Sequence, residues 1–366
     1  MTVKRQHHQI WTLVASTGTD HPSPKYWINL AQLAESAKLH SLIILDLLVE
    51  PSVYISAIGD ATKSIGLAIA YTTDGEHPYL QARKFASLDE FTNGRFGWVN
   101  TRHHKYSDEY LEVFTELLMS SWRDDALVKN KETGEWVNTD RLRQIDYEGP
   151  TFKVPGPGLT KPSPQRLPVI ISLDTTSDGA RRHAAKFAEV ISIYGDKKAV
   201  SKTVKSLKNL AANEFGRDPQ SIKFLAQVFV VVGETHEAAE RKYIEGSAPI
   251  SGFTVIIGTP TEVADELQEW FNYSDIDGFN FHTFNLKDLS NLLIPELQDR
   301  GVAQTEYSTA NGTLRENLAG VKGDSYLAPD HPFYHYRWFA NLSQDEFETV
   351  LSQAKQRVAS TETGYA

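Results

Sequence analysis

Residues 77–100, HPYLQARKFASLDEFTNGRFGWVN, constrain the fold more than any other stretch. Pro78 suits the first turn of a helix, where a missing N–H costs nothing. Leu80, Ala82, Phe85, Ala86, Leu88 and Phe91 then recur at three- and four-residue steps, the spacing of one apolar helical face. Asn93-Gly94 stops the helix, because glycine tolerates the left-handed conformation that a helix end needs. Arg95 to Asn100, with Phe96 and Trp98, follows as a short strand. Helix, turn and strand in this order form the repeating step of a parallel α/β fold.

The step repeats along the chain. Apolar runs at 9–15 (QIWTLVA), 41–46 (SLIILD), 64–71 (SIGLAIAY), 95–100, 168–174 (PVIISLD), 190–194, 224–232 (FLAQVFVVV) and 278–282 read as strands. Continuous runs of this kind mark strands buried on both faces. Amphipathic stretches alternate with them, opened by Ser23-Pro24, and at 106–122, 177–188, 196–215, 235–244, 260–271 and 286–299. Residues 123–166 break the rhythm with prolines and glycines, and short strands are expected at 141–148 and 151–154. No Gly-x-Gly-x-x-Gly follows any strand, which speaks against a dinucleotide-binding doubly wound sheet. About eight strand–helix steps favour a (β/α)8 barrel.

Composition narrows the function. The net charge of −10 argues against a nucleic-acid partner. Lys202, Lys205 and Lys208 read as a solvated helix face. The absence of cysteine excludes disulfides and thiolate metal sites and fits a cytoplasmic protein. No apolar run approaches the ~20 residues of a membrane span, and MTVKRQHHQIW has no apolar signal core.

In a barrel the chemistry sits where the strands end. Asp46, Thr72-Thr73, Asn100-Thr101, Asp174 to Thr176, Tyr194-Gly195 and His282 all fall there. Taken singly, each reads as a strand end or a helix cap; as a ring of polar positions they form a candidate site. The adjacent pairs His7-His8 and His103-His104 do not share a helix face as a metal pair would, so no metal site is expected. There is no Gly-x-Ser-x-Gly elbow, and no residue is assigned as catalytic.

The run Pro78-Tyr79, Ala82-Arg83, Phe85 to Asp89, Gly94-Arg95 and Gly97-Trp98 resembles flavin-dependent monooxygenases of the nitrilotriacetate and dibenzothiophene-sulfone type, a branch of the bacterial luciferase-like superfamily. The resemblance continues through Gly149-Pro150, Phe152, Pro162 to Gln165, the GTPTEVADELQEWF segment, Asp277 to Asn280, Pro295 to Gln298 and Thr313 to Glu316. It implies a (β/α)8 TIM barrel, from which this chain departs by shortened loops after the second and fourth strands and between Ile244 and Gly258. Residues 1–319 would form the barrel and 320–366 a C-terminal extension with one helix.

The resemblance also implies a reaction: reduced FMN, supplied by a separate NAD(P)H:flavin reductase, and O2 acting on a small organic substrate. It places Asp46, Thr72, Asn100, Thr101 and Tyr106 near the flavin ring, and Thr175, Thr176 and Ser177 at the phosphate. The family's phosphate run has glycine where this chain has Asp174. A carboxylate there opposes a phosphate, so weak FMN binding is expected. A deazaflavin in place of FMN, and a barrel that has lost flavin chemistry and serves as a binding or scaffold protein, are the alternatives. The aromatic cluster at 333–339 is expected to pack on the outside of the barrel or on a partner subunit, in a homodimer or higher assembly.

Overall fold

In a computed structural model of the chain, residues 9–15, 23–45, 50–100, 107–246 and 252–360 are described. The elements are β1 (Ile10–Ala15), α1 (Pro24–Ser36), β2 (Ser41–Ile44), α2 (Ser52–Ala61), β3 (Gly66–Tyr71), α3 (Pro78–Phe91), β4 (Phe96–Asn100) and α4 (Ser107–Met119). The excursion holds a small antiparallel pair, β5 (Tyr147–Glu148) and β6 (Lys153–Val154). Then come β7 (Val169–Ser172), α5 (Asp178–Phe187), β8 (Val190–Ile193), α6 (Lys197–Phe215), β9 (Lys223–Val232), α7 (His236–Glu245), β10 (Thr254–Gly258), α8 (Pro260–Ser274) and β11 (Gly278–His282). The chain closes with α9 (Leu286–Asp288), a π-helical turn (Leu289–Leu293), α10 (Ile294–Asp299), α11 (Leu314–Ala319) and α12 (Gln344–Ser360).

Among the described residues, eight parallel strands close in the order β9-β11-β1-β2-β3-β4-β7-β8-β9, a (β/α)8 barrel. The strand β10 and the helix α2 go beyond the sequence reading. The β10 strand pairs with the outer half of β9, Thr254 to Gly258 against Val228 to Val232, because β9 runs on past the barrel wall. The expected helix at 286–299 is interrupted by the π-helical turn just before Pro295.

Side chains alternate across each strand. One set, with Trp11, Leu42, Leu67, Trp98, Phe224 and Phe279, packs against the helices. The other, with Ile10, Ile43, Ala68, Val99, Ile171, Val190 and Leu225, fills the barrel lumen. The floor is plugged by Leu314 of α11. A Cβ on Gly66 would lie 2.3 Å from Leu314 Cδ1 and one on Gly97 3.0 Å from Cδ2, so these strand glycines make room for the plug.

The residues that carry the family resemblance gather around that floor. Both Asp89 oxygens accept from Gln165, from its N–H at 3.0 Å and its Nε2 at 2.6 Å. The Gln165 Oε1 accepts the Arg315 N–H. The Arg315 guanidinium forks onto Glu189 at 2.6 and 2.9 Å and also donates to the Leu167 carbonyl. Arg95 donates to the carbonyls of Gly59, Thr62, Ile65 and Thr92, tying the end of α2 to the turn before β4. The signature therefore describes the scaffold at the face opposite the strand C-termini.

The segment after α11 folds back on the barrel's own flank, between α4 and α5. Phe333 stacks on Phe187 with ring centroids 4.9 Å apart. The Tyr336 hydroxyl donates to Glu112 at 2.8 Å, the Trp338 N–H to the Met119 carbonyl at 3.2 Å, and Lys186 Nζ to the Val358 carbonyl at 3.0 Å. Phe333, Tyr336 and Trp338 are buried within the chain. The aromatic surface that motivated a subunit contact is thus consumed internally and supplies no argument for a dimer. No helix among the described residues is long and apolar enough to cross a membrane.

Candidate active site

The lumen changes character toward the strand C-termini. Its lower layers are aliphatic; on the side of β1, β8, β9 and β11 they give way to polar groups. Thr12 and Asn280 are hydrogen-bonded side chain to side chain, and Asn280 Nδ2 donates to Ser192 Oγ at 2.8 Å. Above them His282 Nε2 lies 3.1 Å from Gln227 Oε1. Gln227 is fully buried, and its Nε2 has no hydrogen-bond partner. The Phe253 ring centroid lies 4.2 Å from that of His282 and 5.2 Å from that of Tyr194. Phe229 and Phe284 meet edge-to-face at 4.6 Å beside them. Burial lowers the pKa of His282 to about 4, so the ring is neutral at pH 7 and its Nε2–H donates to Gln227. Burial raises the Tyr194 phenol, and the Gln227 side chain works against that rise.

The polar wall is legible in retrospect. Gln227 is a lone amide in FLAQVFVVV, at an inward position of the period-two alternation. Thr12, Ser192 and Asn280 are likewise single polar residues at inward positions of apolar strands.

Of the strand-end residues expected from the sequence, Tyr194 and His282 belong to this wall, and Thr72, Asn100 and Thr175 to Ser177 do not. Asp46, Thr101, Tyr106 and the pair His103-His104 lie outside the described residues. Thr72 follows the end of β3, half-buried. Asn100 ends β4 and is 5% exposed. Since Gly97 and Val99 face the lumen, Asn100 points to the helix layer, where its Nδ2 lies 3.1 Å from His183 Nε2. His183 Nδ1 lies 2.7 Å from Asp108 Oδ1, so its proton sits between those two and Nε2 accepts from Asn100. The Asn100 Oδ1 has no hydrogen-bond partner.

Thr175, Thr176 and Ser177 form the loop into α5. The Asp174 carboxylate turns back on this loop, accepting from the Thr176 N–H at 2.9 Å and its hydroxyl at 2.7 Å. Ser177 caps α5 by accepting the Ala180 N–H. Arg181 donates to the Thr175 carbonyl and pairs with Asp178. The N–H groups of Asp178 and Gly179 have no acceptor among the described residues.

Two observations bear on whether a flavin mononucleotide fits. The mouth is bordered by neutral aromatic rings and carries no charge on the wall of Tyr194, Phe253 and His282, which suits a flat heteroaromatic ring beside it. The start of α5 offers free N–H groups and hydroxyls at the positive end of a helix dipole, which suits a phosphate. The residues present fit the group. Among the described residues no three His, Asp or Glu side chains are placed to hold a metal ion. A cavity of about 300 Å³ opens at a separate place, between the C-terminal segment and the ends of α5 and α6, away from every strand C-terminus.

Comparison with known proteins fits this geometry. Residues 7–254 match the profile of luciferase-like monooxygenases. The chain belongs to the luciferase-like monooxygenase family. The long-chain alkane monooxygenase of Geobacillus thermodenitrificans (strain NG80-2) is 30% identical, over 90% of this chain and 94% of its own length. The alignment spans 425 positions, more than the 366 residues of this chain, so the relative carries long insertions opposite gaps here. A crystal structure of a long-chain alkane monooxygenase superposes with a TM-score of 0.81 at 27% identity, covering 90% of this chain and all of that one. Component A of nitrilotriacetate monooxygenase from Aminobacter aminovorans is 28% identical, over 77% of this chain and 81% of its own. A riboflavin lyase solved with modified FMN shares the fold, with a TM-score of 0.81 at 24% identity, covering 90% of this chain and all of that one. This family member thus keeps the barrel of its relatives on a shorter chain.

Proposed function

We propose that this luciferase-like protein is a two-component, flavin-dependent monooxygenase. It takes reduced FMN from a separate NAD(P)H:flavin reductase and oxygenates a small organic substrate at the C-terminal mouth of its barrel. The observation that carries this reading is the neutral, aromatic and polar wall at the strand ends of a barrel of this family. Bound reduced flavin supplies the electrons and the means to activate O2.

The residues of the chain hold and shelter it. Thr175, Thr176, Ser177 and the free N–H groups of Asp178 and Gly179 would take the phosphate. Asp46, Thr72, Thr101 and Tyr106 would line the ring side, whereas Asn100, turned onto His183, braces the end of β4 from the helix layer. The dry aliphatic lumen below the mouth excludes water from beneath the reacting centre. The barrel of residues 1–319 carries the site, and 320–366 acts as a strap over α4 and α5. Support for a reductase partner comes from the likeness to a protein named as component A of its system.

The test is an anaerobic titration with photoreduced FMN, followed by oxygen uptake with a flavin reductase and NADH. Binding in the micromolar range and substrate-dependent oxygen incorporation are expected. Failure to bind either redox state of FMN at about 1 mM, some 4 kcal/mol of binding free energy, would refute the reading.

A further inference from the structure

The mouth wall built by β8, β9, β10 and β11 carries no charge at neutral pH. Its polar groups are the Gln227 amide, a neutral His282 and the Tyr194 phenol. Its apolar groups are Phe253, Phe229 and Phe284, all within ring-contact distance of one another or of His282 and Tyr194. Gln227 is the informative member. Its Oε1 is engaged by His282, which fixes the amide's orientation; the fully buried Nε2 makes no hydrogen bond of good geometry and has the Tyr194 phenol oxygen on one side, so one of its two hydrogens stays without an acceptor. An unmatched buried donor is costly unless something fills it. The acceptor that suits this place is an uncharged oxygen. A carboxylate would have to be desolvated beside three aromatic rings, without a cation among the residues of this wall to meet it.

We propose that this wall is the substrate subsite and that it selects a compact molecule with an apolar or aromatic body and one uncharged acceptor oxygen, bound by Gln227 Nε2–H, in preference to carboxylates. Gln227 anchors the oxygen, His282 holds the Gln227 amide in register, and Phe253 and Tyr194 pack on the body. The inference rests on the proposed function for the identity of the site as a substrate subsite, but the binding chemistry stands on the wall itself.

Three probes of matched size separate the contributions: acetophenone (one neutral oxygen), benzoate (a carboxylate) and ethylbenzene (no oxygen). Each is titrated by saturation-transfer NMR against the full chain, with oxidised FMN present and again without it. Acetophenone is expected to bind at least about tenfold more tightly than either of the other two. Gln227→Met keeps the side-chain length and removes the donor. It is expected to weaken acetophenone by about tenfold and to leave ethylbenzene within twofold. If Gln227→Met does not fold, Phe253→Ala on the half-buried rim is expected to weaken acetophenone and ethylbenzene together. Benzoate binding as tightly as acetophenone, an acetophenone affinity unmoved by both variants, or no binding of acetophenone overturns the proposal. Loss of FMN binding with the acetophenone pattern intact overturns the flavin reading and leaves this subsite standing.

Discussion

Replacing Phe333 by alanine tests how the C-terminal segment is held. The ring is fully buried, stacked on Phe187 at 4.9 Å with 10° between planes, and meets Tyr336 edge-on at 5.0 Å. Removing a buried phenyl ring from such a site costs about 3–5 kcal/mol, the transfer of the ring plus the cavity left behind. With an unfolding entropy of ~2.1 cal/mol/K per residue, this chain unfolds with roughly 0.8 kcal/mol/K at its midpoint. The expected fall in Tm is therefore about 4–6 °C. Scanning calorimetry reads the Tm, and light scattering at the same concentration reads the mass. A Tm lowered by less than about 1 °C, or a variant whose particle mass halves at unchanged Tm, would show that the ring is a subunit contact rather than an internal staple.

Other expectations follow from the buried charges and the α5 loop. Burial alone would push the Glu189 carboxyl up, but the charge and hydrogen bonds of Arg315 outweigh it and hold it below the usual range. Arg315→Met strands that carboxylate in the core and is expected to cost about 3–5 kcal/mol, much of it recovered in the double variant with Glu189→Leu, as read by urea denaturation. Burial, with the neighbouring Arg217 charge, lowers the pKa of His331 to about 3. Its unfolded value is ~6.5, so the unfolded chain binds the extra proton between those limits. The stability from this site is complete above pH ~6.5 and is lost as the pH falls toward 3, at up to ~1.4 kcal/mol per unit. The drop in urea midpoint between pH 7 and pH 5 should shrink in His331→Gln; an identical drop in both proteins would exclude His331 as a contributor. Finally, Asp174→Gly removes a charge and frees the Thr176 N–H and hydroxyl. It is expected to tighten FMN binding roughly tenfold by fluorescence titration, less than a buried charge would give because the loop is partly exposed. An unchanged affinity would place the phosphate away from this loop.

The sequence by itself determined the barrel. Eight apolar runs alternating with amphipathic helices leave few other closed parallel architectures, and local periodicity is a property of neighbouring residues that needs no partner to be read. It also determined the family, through Asp89, Arg95, Gln165 and Arg315. These residues are legible because the floor needs particular side chains at fixed spacing: Arg315 can fork onto Glu189 only if α11 returns beneath β4 and β7. Only the tertiary structure decided what the signature does, since Asp89 and Gln165 lie far apart in the chain and meet at the face opposite the mouth. It turned the Asp174 carboxylate onto its own loop and Asn100 onto His183, because the strand alternation and the Asx turn set side-chain direction, and residue type does not. It also closed the aromatic tail onto α4 and α5. Whether an aromatic cluster faces its own chain or another is a matter of where the chain returns, and that is fixed by packing across some 150 residues of sequence, from Phe187 to Phe333. The polar wall of Gln227 and His282 needed the tertiary structure as well, because the two residues are 55 apart in the chain and meet only when β11 pairs with β9 across the crossover through α7, β10 and α8.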